Sequence, residues 1–440
     1  MTFPRYGAYK RLNAEWIGEV PSHWTHKPLW TLFRRTKRTG HEDEQLLSVY
    51  RDYGVVPKAS RDDNFNKPSD DLTTYQLVEP GDLAINKMKA WQGSVAISEH
   101  RGIVSPAYFV FKAVHQEEPR FLHYLLRSAE YTAGYLSISK GIRPNQWDLE
   151  PQEHSRMPVL LPSIREQVAI ASFLDRETGK IDALVEEQKR LIVLLKEKRQ
   201  TVTSHAVTKG LDPDVPMKDS GIKWIGKVPE HWDVVRIKWA ARMESGHTPD
   251  KKVAAYWENC TIPWVSLHDT GYLKEHDFIT ETAQFINELG VANSSARVLP
   301  ERVVVFSRDA TIGRCGITTR PMAVSQHFIA WVCSDRVKPE FLLRCLRSMS
   351  QELERLTFGA TVKTIGMPDV RSLTFACPPI DEQEAIIERI RASNARLDAL
   401  IEAADAAITL LQERRSALIS AAVTGKIDVR GLVPEQAEAA

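Results

Sequence analysis

The stretch PSIREQVAIASFLDRETGKIDALVEEQKRLIVLLKEKRQTVTSHAVTKGLD, residues 162–212, decides the fold because the chain carries it twice. Residues 378–428 read PPIDEQEAIIERIRASNARLDALIEAADAAITLLQERRSALISAAVTGKID and align with the first copy without a gap, at an offset of 216. Solenoid repeats follow one another about every 20–50 residues. A long segment that recurs once, at a much larger distance, instead indicates a duplicated pair of domains.

Both copies have the apolar spacing of an amphipathic helix, with intervals of three, four and seven residues. A helix of some 40 residues would be about 60 Å long, which exceeds a small domain. Since the two stripes are nearly the same, we expect the helices to pack on each other as an antiparallel pair. The alternative is that each lies on its own domain as an ordinary amphipathic helix. The stripes are Ile181, Leu184, Val185, Leu191, Ile192, Leu195 and Val202 in the first copy, and Leu397, Leu400, Ile401, Ala407, Ile408, Leu411 and Leu418 in the second.

A shorter motif opens each globular region. EWIGEVPSHW at residues 15–24 and KWIGKVPEHW at residues 223–232 agree at most positions, about 208 residues apart. The order is therefore globular region, helix, globular region, helix. Each helix also ends in a similar segment, AVTKGLD in the first copy and AVTGKID in the second. The first of these segments leads into the second copy of the short motif. If the second segment were joined to the start of the sequence, it would lead into the first copy, so the organisation is circular. It predicts a two-fold arrangement with neighbouring termini, and the polar segment VPEQAEAA (433–440) is expected to fray.

The globular regions contain short β-like runs such as GDLAIN, AYFVFKAV, ERVVVFS and FIAWVC, each bounded by turn residues. Each region also has one helical segment near its end. Outside the framework positions the two regions differ. Similar scaffolds with different loops indicate two related sites that recognise different things.

Composition excludes some classes of protein and leaves others open. Lys and Arg number 58 against 57 Asp and Glu, a balance that neither favours nor excludes a nucleic-acid partner. The five cysteines form no C-x-x-C pair, which argues against a disulfide framework or a structural zinc site. No apolar run is long enough for a membrane span or a signal peptide. We expect a cytoplasmic protein without a membrane partner.

Motifs for cofactor chemistry are missing. The sequence has neither a P-loop nor a Gly-rich dinucleotide or adenosylmethionine loop. ACPPID at 376–381 has a Pro-Pro pair, but its twin is LLPSIR, so it is interpreted as the start of a helix. His23 and His231 belong to the repeated motif and are interpreted as packed side chains. We predict no catalytic residue, no metal ligand and no cofactor site in this chain.

The residues carry a resemblance to a known family. GDLAINKMKAWQGSVAIS (81–98), followed by GIVSPAYFVF (102–111), resembles a target recognition domain of the specificity (S) subunits of type I restriction–modification systems. SGHTPDKKVAAYWENCTIPWVS (245–266), followed by FSRDATIGR (306–314), resembles another version of that domain. The helical repeat resembles the family's helical region. One departure is that ERVVVFSR stands where the family usually has Gly-Asp at a turn.

The resemblance implies an α+β fold in which two mixed α/β target recognition domains are joined by two long helices. The helices form an antiparallel coiled coil, and the chain has an internal pseudo-two-fold repeat. Expected boundaries are 1–160 for recognition domain 1, 161–209 for helical region 1, 210–376 for recognition domain 2, 377–426 for helical region 2 and 427–440 for a C-terminal tail.

The resemblance also implies the function and the partners. Each domain would read one half of a split site in double-stranded DNA, and the helices would set the spacing. Two modification subunits would bind S-adenosylmethionine and methylate adenine, and two restriction subunits would use ATP for translocation and cleavage. The chain itself would be non-catalytic.

Loops with basic or amide side chains are the candidate DNA contacts, since phosphates need cations and bases need paired donors and acceptors. Each loop has an alternative interpretation as solvated charge. The first domain contributes Arg34, Arg35, Lys37, Arg38, Lys87, Lys89, Trp91, Gln92, Lys140, Arg143, Asn145 and Gln146. The second contributes His247, Thr248, Lys251, Lys252, Ser307, Arg308, Thr311, Arg314, Gln326, His327, Thr361 and Lys363. Gly93 and Gly313 are expected in turns that let the backbone approach phosphate.

Two other functions stay open at this level. A self-contained methyltransferase or nuclease would need the cofactor loops that the sequence lacks. A coiled-coil scaffold protein without sequence-specific DNA binding would share the helices, and competition between cognate and random duplex would separate the two.

Overall fold

The structure is a computed structural model that describes residues 3–51, 53–61, 67–141, 147–359 and 363–432. The chain forms two compact units. Unit 1 combines residues 1–189 with 405–440, and unit 2 comprises residues 190–404. This division cuts each long helix near its middle. It therefore differs from the linear domain boundaries given above, which stay a prediction.

Unit 1 is built around a four-stranded antiparallel sheet with the order β4-β11-β8-β9. Helix α1 packs on the sheet, and its Phe121 and Leu125 are fully buried in the main core. The strands are β1 (Tyr9–Arg11), β2 (Glu19–Pro21), β3 (Thr25–Pro28), β4 (Phe33–Thr36), β5 (Leu47–Tyr50), β6 (Gly54–Pro57), β7 (Gln76–Val78), β8 (Leu83–Asn86), β9 (Val95–Ile97), β10 (Gly102–Val104), β11 (Tyr108–Ala113), β12 (Ser139–Lys140), β13 (Asp148–Leu149) and β14 (Pro158–Leu161). The helices are α1 (Pro119–Leu126), α2 (Ala129–Ser137), α3 (Pro151–Arg156), the first half of α4 (Ile164–Lys209) and the second half of α10 (Ile380–Val423).

Unit 2 repeats this frame. Its main sheet has the order β18-β25-β22-β23-β20, and a separate three-stranded sheet has the order β21-β19-β24. The strands are β15 (Met217–Asp219), β16 (Lys227–Pro229), β17 (Asp233–Arg236), β18 (Ala241–Ser245), β19 (Ile262–Val265), β20 (Phe278–Ile279), β21 (Phe285–Ile286), β22 (Val304–Ser307), β23 (Cys315–Thr318), β24 (Ala323–Val324), β25 (Phe328–Cys333), β26 (Thr357–Phe358), β27 (Thr364–Ile365) and β28 (Thr374–Cys377). The helices are the second half of α4, α5 (Thr270–Glu275), α6 (Glu288–Ala292), α7 (Pro339–Ser348), α8 (Ser350–Arg355), α9 (Met367–Ser372) and the first half of α10.

The long helices run antiparallel in both units, as predicted. In unit 1 the first half of α4 meets the second half of α10, and Arg415 Nε lies 2.9 Å from Asp182 Oδ1. In unit 2 the second half of α4 meets the first half of α10, and Arg199 Nη1 lies 2.8 Å from Asp398 Oδ1. Asp182 corresponds to Asp398 and Arg199 to Arg415 at the same offset of 216. The two ion pairs are thus copies of one contact, which expresses the pseudo-two-fold repeat.

The predicted apolar stripe is only partly correct. Ile181, Val185 and Leu195 are buried, as expected for the packed face. Leu184 is 46% exposed, and its repeat equivalent Leu400 is 53% exposed. Leu191 is exposed too, so these three leucines belong to an outer face. Helical periodicity selects a broad apolar arc but does not say which part of it a partner helix covers.

The start of α4 is fixed by the motif that opens unit 1. Tyr6 Oη and Trp24 Nε1 donate hydrogen bonds to Glu166 Oε1, at 2.7 and 3.0 Å, and His23 Nε2 lies 3.1 Å from Glu166 Oε2. We call these four residues the unit 1 clamp. The Glu166 side chain is only 3% exposed. Burial, together with the hydrogen bond to Glu166, raises the pKa of Tyr6.

Unit 2 has a smaller version, the unit 2 clamp. Trp232 Nε1 donates to Glu382 Oε2 at 3.0 Å, and His231 Nε2 lies 2.9 Å from the same oxygen. The Glu382 side chain is 30% exposed. The two clamps explain why the HW pair and the glutamate of EQ repeat together, and they give the motif histidines a structural role.

The glycines after the long helices adopt left-handed conformations, with φ +78° at Gly210 and +72° at Gly425. Gly425 packs against Pro21 and Trp24, so the end of α10 closes onto the unit 1 motif. The segments at the two described ends lie side by side, since Asp428 N donates to Pro4 O at 2.8 Å. Residues 427–432 therefore pack against the N-terminal segment of unit 1, whereas VPEQAEAA (433–440) lies outside the described residues.

The turn that departs from the family's Gly-Asp pattern keeps its backbone shape. Gly81 N donates to Ser98 O at 2.8 Å, and Arg302 N donates to Thr318 O at 2.7 Å at the corresponding place. Gly81 has φ +90°, and Arg302 has φ +61° although it carries a side chain. The turn therefore has a left-handed residue in both units.

One histidine in the unit 1 core has no counterpart in unit 2. His154 on α3 is fully buried between the rings of Phe111 and Tyr135, and neither ring nitrogen has a hydrogen-bond partner in the described part of the chain. Burial lowers the pKa of His154 to about 3. The equivalent residue in unit 2, at the offset of 216, is the buried Val370.

All five cysteines are free, and three of them, Cys315, Cys345 and Cys377, are buried. No helix in the described ranges combines the length and the apolar character that crossing a bilayer requires.

Candidate nucleic-acid interface

In unit 2 the candidate residues gather around the loop between β22 and β23. Arg308 N donates to His327 O at 2.9 Å, and Ile365 N donates to Arg308 O at 2.9 Å. Ala310 N donates to Lys363 O at 2.8 Å. These backbone bonds join the loop to the start of β25 and to the hairpin β26–β27. Segments far apart in sequence therefore form one surface.

The loop has a strained backbone at its tip. Ala310 has φ +60°, a region that residues with a side chain seldom occupy, and Gly313 has φ +83°. The turn role predicted for Gly313 is seen here. Ser307 is fully buried, and its hydroxyl is bonded to Thr311 O while it accepts from Arg314 N at 3.1 Å. Ser307 supports the loop from inside and is not available to DNA.

A chain of polar side chains crosses this surface. The Thr248 hydroxyl donates to Gln326 Oε1, and Gln326 Nε2 lies 3.3 Å from His327 Nε2. His327 Nδ1 lies 2.9 Å from Asp309 Oδ2, and the Thr364 hydroxyl donates to Asp309 Oδ1. Asp309 is buried, whereas Gln326 is exposed. Three of the sequence-predicted residues, Thr248, Gln326 and His327, thus lie in one hydrogen-bonded chain.

Arg308 faces the protein more than the solvent. Its Nε lies 3.4 Å from Gln326 O and its Nη1 lies 3.4 Å from Ile365 O. Its Nη2 lies 3.7 Å from Asp309 Oδ2. The remaining described candidates of unit 2 are exposed or half-buried and available at the surface: His247, Lys251, Lys252, Thr311, Arg314 and Lys363. Thr361 lies outside the described residues.

A cleft of about 1190 Å³ opens beside this loop within unit 2. Its lining includes Gly313, Arg314 and Lys363, together with Arg391 and Asn394 from α10. Two further arginines of the cleft are already paired, since Arg344 and Arg347 both bond Asp277. Arg314, Lys363 and Arg391 are further cations in the lining of the cleft.

Unit 1 has the same backbone frame with different side chains. Lys87 N donates to Ala107 O at 3.2 Å, which corresponds to the bond from Arg308 N to His327 O in unit 2. Leu149 N donates to Lys87 O at 3.0 Å, which corresponds to the bond from Ile365 N to Arg308 O. Asn86 N donates to Ser94 O at 3.0 Å, where Ser307 N donates to Arg314 O in unit 2. The loop from Asn86 to Ser94 in unit 1 is therefore one residue longer than the loop from Ser307 to Arg314 in unit 2.

Aromatic rings and cations cover the unit 1 loop. The Arg35 guanidinium lies 4.2 Å and Lys87 Nζ 5.6 Å from the centre of the Phe109 ring. The Trp91 and Trp147 ring centroids are 4.9 Å apart. Trp147, which the sequence did not single out, is therefore part of this surface.

The other unit 1 candidates are placed less uniformly. Arg34, Lys37, Lys89 and Lys140 are exposed, and Gln92 is half-buried. Arg38 forms ion pairs with two carboxylates, Glu79 and Asp82, and these give it a structural role. Arg143, Asn145 and Gln146 lie outside the described residues. Gly93 has φ +88°, in agreement with the predicted turn.

The sequence alone missed Asp309 and Thr364. The only local signal was an acidic residue in the middle of the basic loop SRDATIGR, where a carboxylate would oppose DNA unless it had a structural partner. Their partners in space are separated from them by up to 56 residues, which no local pattern reveals.

Comparison with known proteins supports this frame. A family model of the type I restriction modification DNA specificity domain matches residues 229–410. The putative type I restriction enzyme MjaX specificity subunit of Methanocaldococcus jannaschii is 26% identical over 443 aligned positions, covering 94% of this chain and 96% of that protein. The MjaIX specificity subunit of the same organism is 29% identical over 164 positions, covering 37% of this chain and 38% of that protein.

Solved structures share the fold. A chain solved in work on complex assembly and conformational transition of the type I R-M system matches with a TM-score of 0.67 at 16% identity, over 93% of this chain and 99% of that one. The HsdS subunit of Thermoanaerobacter tengcongensis matches with a TM-score of 0.52 at 17% identity, over 96% of this chain and all of that one.

A duplicated frame, two different polar loop surfaces and paired long helices define a two-domain specificity protein. Sequence relatives along almost the whole chain agree with that class. Along almost its whole length the chain is similar to the specificity (S) subunits of type I restriction–modification systems, and the motif resemblance is confirmed.

Proposed function

We propose that this chain is the sequence-specific DNA-binding subunit of a type I restriction–modification complex, in which each unit reads one half of a bipartite DNA site. One observation carries the proposal. The same backbone frame presents hydrogen-bonding side chains in unit 2 and aromatic and cationic side chains in unit 1. Because base readout depends on side-chain donors and acceptors, the two surfaces would select different sequences.

The candidate residues divide by the kind of contact they would make. Exposed cations such as Lys89 and Lys251 would contact phosphates, which contributes affinity but little sequence information. Gln92, Thr311 and Gln326 carry donors and acceptors suited to base edges. Residues whose charged groups already have partners inside the protein, such as Arg38, would stabilise the loops and would not contact DNA directly.

The long helices would set the distance between the two half-sites. α4 has 46 residues, about 69 Å at 1.5 Å per residue, and it continues from unit 1 into unit 2 without a break. Since each DNA base pair advances about 3.4 Å, a rigid helix pair fixes how many base pairs separate the half-sites.

The outer face of the helices would bind the modification subunits. Leu184 in unit 1 and Leu400 in unit 2 occupy equivalent positions and are both exposed. Glu186 and its equivalent Glu402 flank them, whereas Glu187 and Lys189 become Ala403 and Asp405 in the second copy. Two similar apolar patches on repeated helices fit two copies of one partner.

In this complex the chain itself contributes no covalent chemistry. Two modification subunits would supply S-adenosylmethionine and methylate adenine, and two restriction subunits would supply ATP-driven translocation and cleavage. All of them would act in the cytoplasm.

The experiment is to map N6-methyladenine across the genome of cells that express this chain with its modification subunit. We expect a bipartite motif with a fixed gap. Gln92→Ala should relax only the half read by unit 1, and Thr311→Ala should relax only the half read by unit 2. The double variant should relax both halves.

The two single variants are each other's control, because each leaves the opposite unit unchanged. A motif without two halves would contradict the proposal. So would a single variant that relaxes both halves together.

A further inference from the structure

The polar chain of unit 2 has a fixed direction, which begins at Asp309. The buried carboxylate can only accept hydrogen bonds, and it already accepts one from the Thr364 hydroxyl. His327 Nδ1, at 2.9 Å from the carboxylate, must therefore carry its proton. In the neutral imidazole this leaves Nε2 as an acceptor.

The orientation of the Gln326 amide follows from the His327 tautomer. Only the amide nitrogen can donate to His327 Nε2, at 3.3 Å, so the carbonyl oxygen must point the other way. There it accepts from the Thr248 hydroxyl. A glutamine side chain normally rotates freely on the surface, but this one is held from both ends.

The amide keeps one donor and one acceptor for a ligand. Its nitrogen has two hydrogens, of which one faces His327, and its oxygen has two lone pairs, of which one faces Thr248. Since Gln326 is exposed, the remaining N–H and lone pair are open to solvent. They form a fixed, adjacent donor–acceptor pair.

That pair matches one base edge in the major groove. Adenine offers an acceptor at N7 and a donor at N6, guanine offers two acceptors, cytosine offers a donor and thymine an acceptor. We infer that Gln326 reads an adenine in the half-site contacted by unit 2, and that Asp309 is a positioning residue that acts through His327. The inference rests on the proposed function, because it needs DNA against the unit 2 loop.

Unit 1 lacks the device. The backbone bond between Arg308 and His327 has its counterpart between Lys87 and Ala107, so Ala107 stands where His327 does, and Pro106 precedes it. Neither Pro106 nor Ala107 has a side-chain donor or acceptor. An effect of the polar chain should therefore appear in one half of the motif only.

The test maps N6-methyladenine in cells that express the complex with Gln326→Ala. One adenine position in the unit 2 half should relax to all four bases, with a loss of discrimination of about 5- to 150-fold, while the unit 1 half stays unchanged. Gln326→Glu presents only acceptors, so preference at the same position should move toward cytosine, whose N4 donates. Thr248→Val should reproduce part of the relaxation.

Asp309→Ala tests the positioning role. It frees the His327 tautomer and should relax the same single position, more weakly than Gln326→Ala. Adding Asp309→Ala to Gln326→Ala should cause no further relaxation there, because Asp309 acts through Gln326. Relaxation at other positions in the double variant would show a general loop defect and would overturn the positioning role.

Purified complex and duplexes with each base at the adenine position provide the second measurement. Should Gln326→Ala abolish methylation in cells, competition among these duplexes decides: equal affinity for the four bases supports the inference, and a retained preference for adenine overturns it. An unchanged motif in Gln326→Ala cells also overturns it. Failure of the wild-type complex to give any bipartite motif would instead refute the proposed function itself.

Discussion

The loops after β8 in unit 1 and β22 in unit 2 start from the same backbone hydrogen bonds and then diverge. In unit 1 the surface is formed by the Trp91–Trp147 pair and by two cations over Phe109. In unit 2 it is formed by the chain from Thr248 to Asp309. The contrast teaches that the duplicated part of the sequence maintains the frame, whereas recognition in the proposed function would depend on the side chains that differ between the two loops.

The helices and clamps offer a second comparison, since here both units use the same residues to different degrees. The unit 1 clamp has three donors around a buried carboxylate, and the unit 2 clamp has two around a carboxylate that is partly exposed. The two units should therefore respond unequally to equivalent substitutions.

The largest effect on assembly is expected for the outer leucines of the helices. Leu184→Glu or Leu400→Glu puts a charge into one docking patch and should weaken the binding of one modification subunit by roughly a hundredfold or more, equivalent to about 3 kcal/mol. Native mass spectrometry should show two modification subunits on the wild type, one on each single variant and none on the double variant. Glu187→Ala is the control, because Ala403 already occupies the equivalent position. Two tightly bound subunits on either single variant would contradict the docking model.

The clamps should differ in stability. Glu166→Ala leaves the buried Tyr6 hydroxyl and Trp24 indole N–H without their acceptor and should cost about 3–5 kcal/mol, since an unsatisfied buried donor costs about 1–3 kcal/mol. Glu382→Ala strands one such donor, Trp232 Nε1, and should cost about 1–3 kcal/mol. Urea unfolding monitored by hydrogen exchange, unit by unit, measures both values. Glu166→Gln keeps an acceptor and should lose less, and equal losses in the two alanine variants would remove the distinction between the clamps.

Acid should destabilise unit 1 more than unit 2 through His154. The unfolded histidine binds a proton below about pH 6.5, whereas burial holds the folded pKa at about 3. The unfolded state therefore binds more protons between these values, and stability falls as pH drops, by up to about 1.4 kcal/mol per pH unit.

His154→Val introduces the residue that unit 2 has at the equivalent position, Val370. It should remove the loss of unit 1 stability that the protonation of His154 causes as the pH drops. Between pH 7 and pH 5 the variant should keep about 2 kcal/mol that the wild type loses. Unfolding of unit 1 at the two pH values is the measurement, and unit 2 of the same molecule is the internal control. His123 also titrates in unit 1, because burial and Arg127 lower its pKa to about 4, so some pH dependence persists in the variant. An identical pH dependence in variant and wild type would refute the assignment.

The smallest difference concerns the glycines that end the long helices. A Cβ at Gly425 would lie 2.3 Å from Pro21 Cδ, whereas at Gly210 its nearest neighbour would be Trp232 Cζ2 at 3.3 Å. Both positions have a left-handed backbone, which costs a side chain about 1–2 kcal/mol. Gly425→Ala should therefore lower the melting temperature by several degrees more than Gly210→Ala. The reverse order would mean that the end of α10 is not tightly closed onto Pro21.

The sequence predicted the large features well because they depend on local periodicity and on the repeat. Helical spacing identified α4 and α10, and the offset of 216 indicated their pairing, which the copied ion pairs Asp182–Arg415 and Arg199–Asp398 express. The stripe was less accurate, since Leu184 and Leu400 fit the helical period and yet face outward. Period alone cannot separate a face that packs inside the chain from one that would bind another protein.

The recognition surfaces were predicted as loops but not as geometries. Thr248, Gln326 and His327 were singled out by residue type, whereas Asp309 and Thr364, which orient them, were not. Hydrogen bonds between residues distant in sequence leave no periodic signal. The burial of Ser307 and the ion pairs of Arg38 likewise depend on tertiary packing, which composition does not reveal.

The division of the chain between the units has a consequence for the order of folding during synthesis. All of unit 2 lies in one continuous segment, residues 190–404, so the ribosome synthesises it without interruption by residues of unit 1. Unit 1 needs residues 405–432, which are made after the whole of unit 2, and Val423 and Val429 fill its core only then. At about 5–20 residues per second, more than 200 intervening residues delay that closure by roughly 10–40 s. During this interval Pro21 and Trp24 of the unit 1 motif lack their contact with Gly425, so the first half of the protein to be translated is the last to be completed.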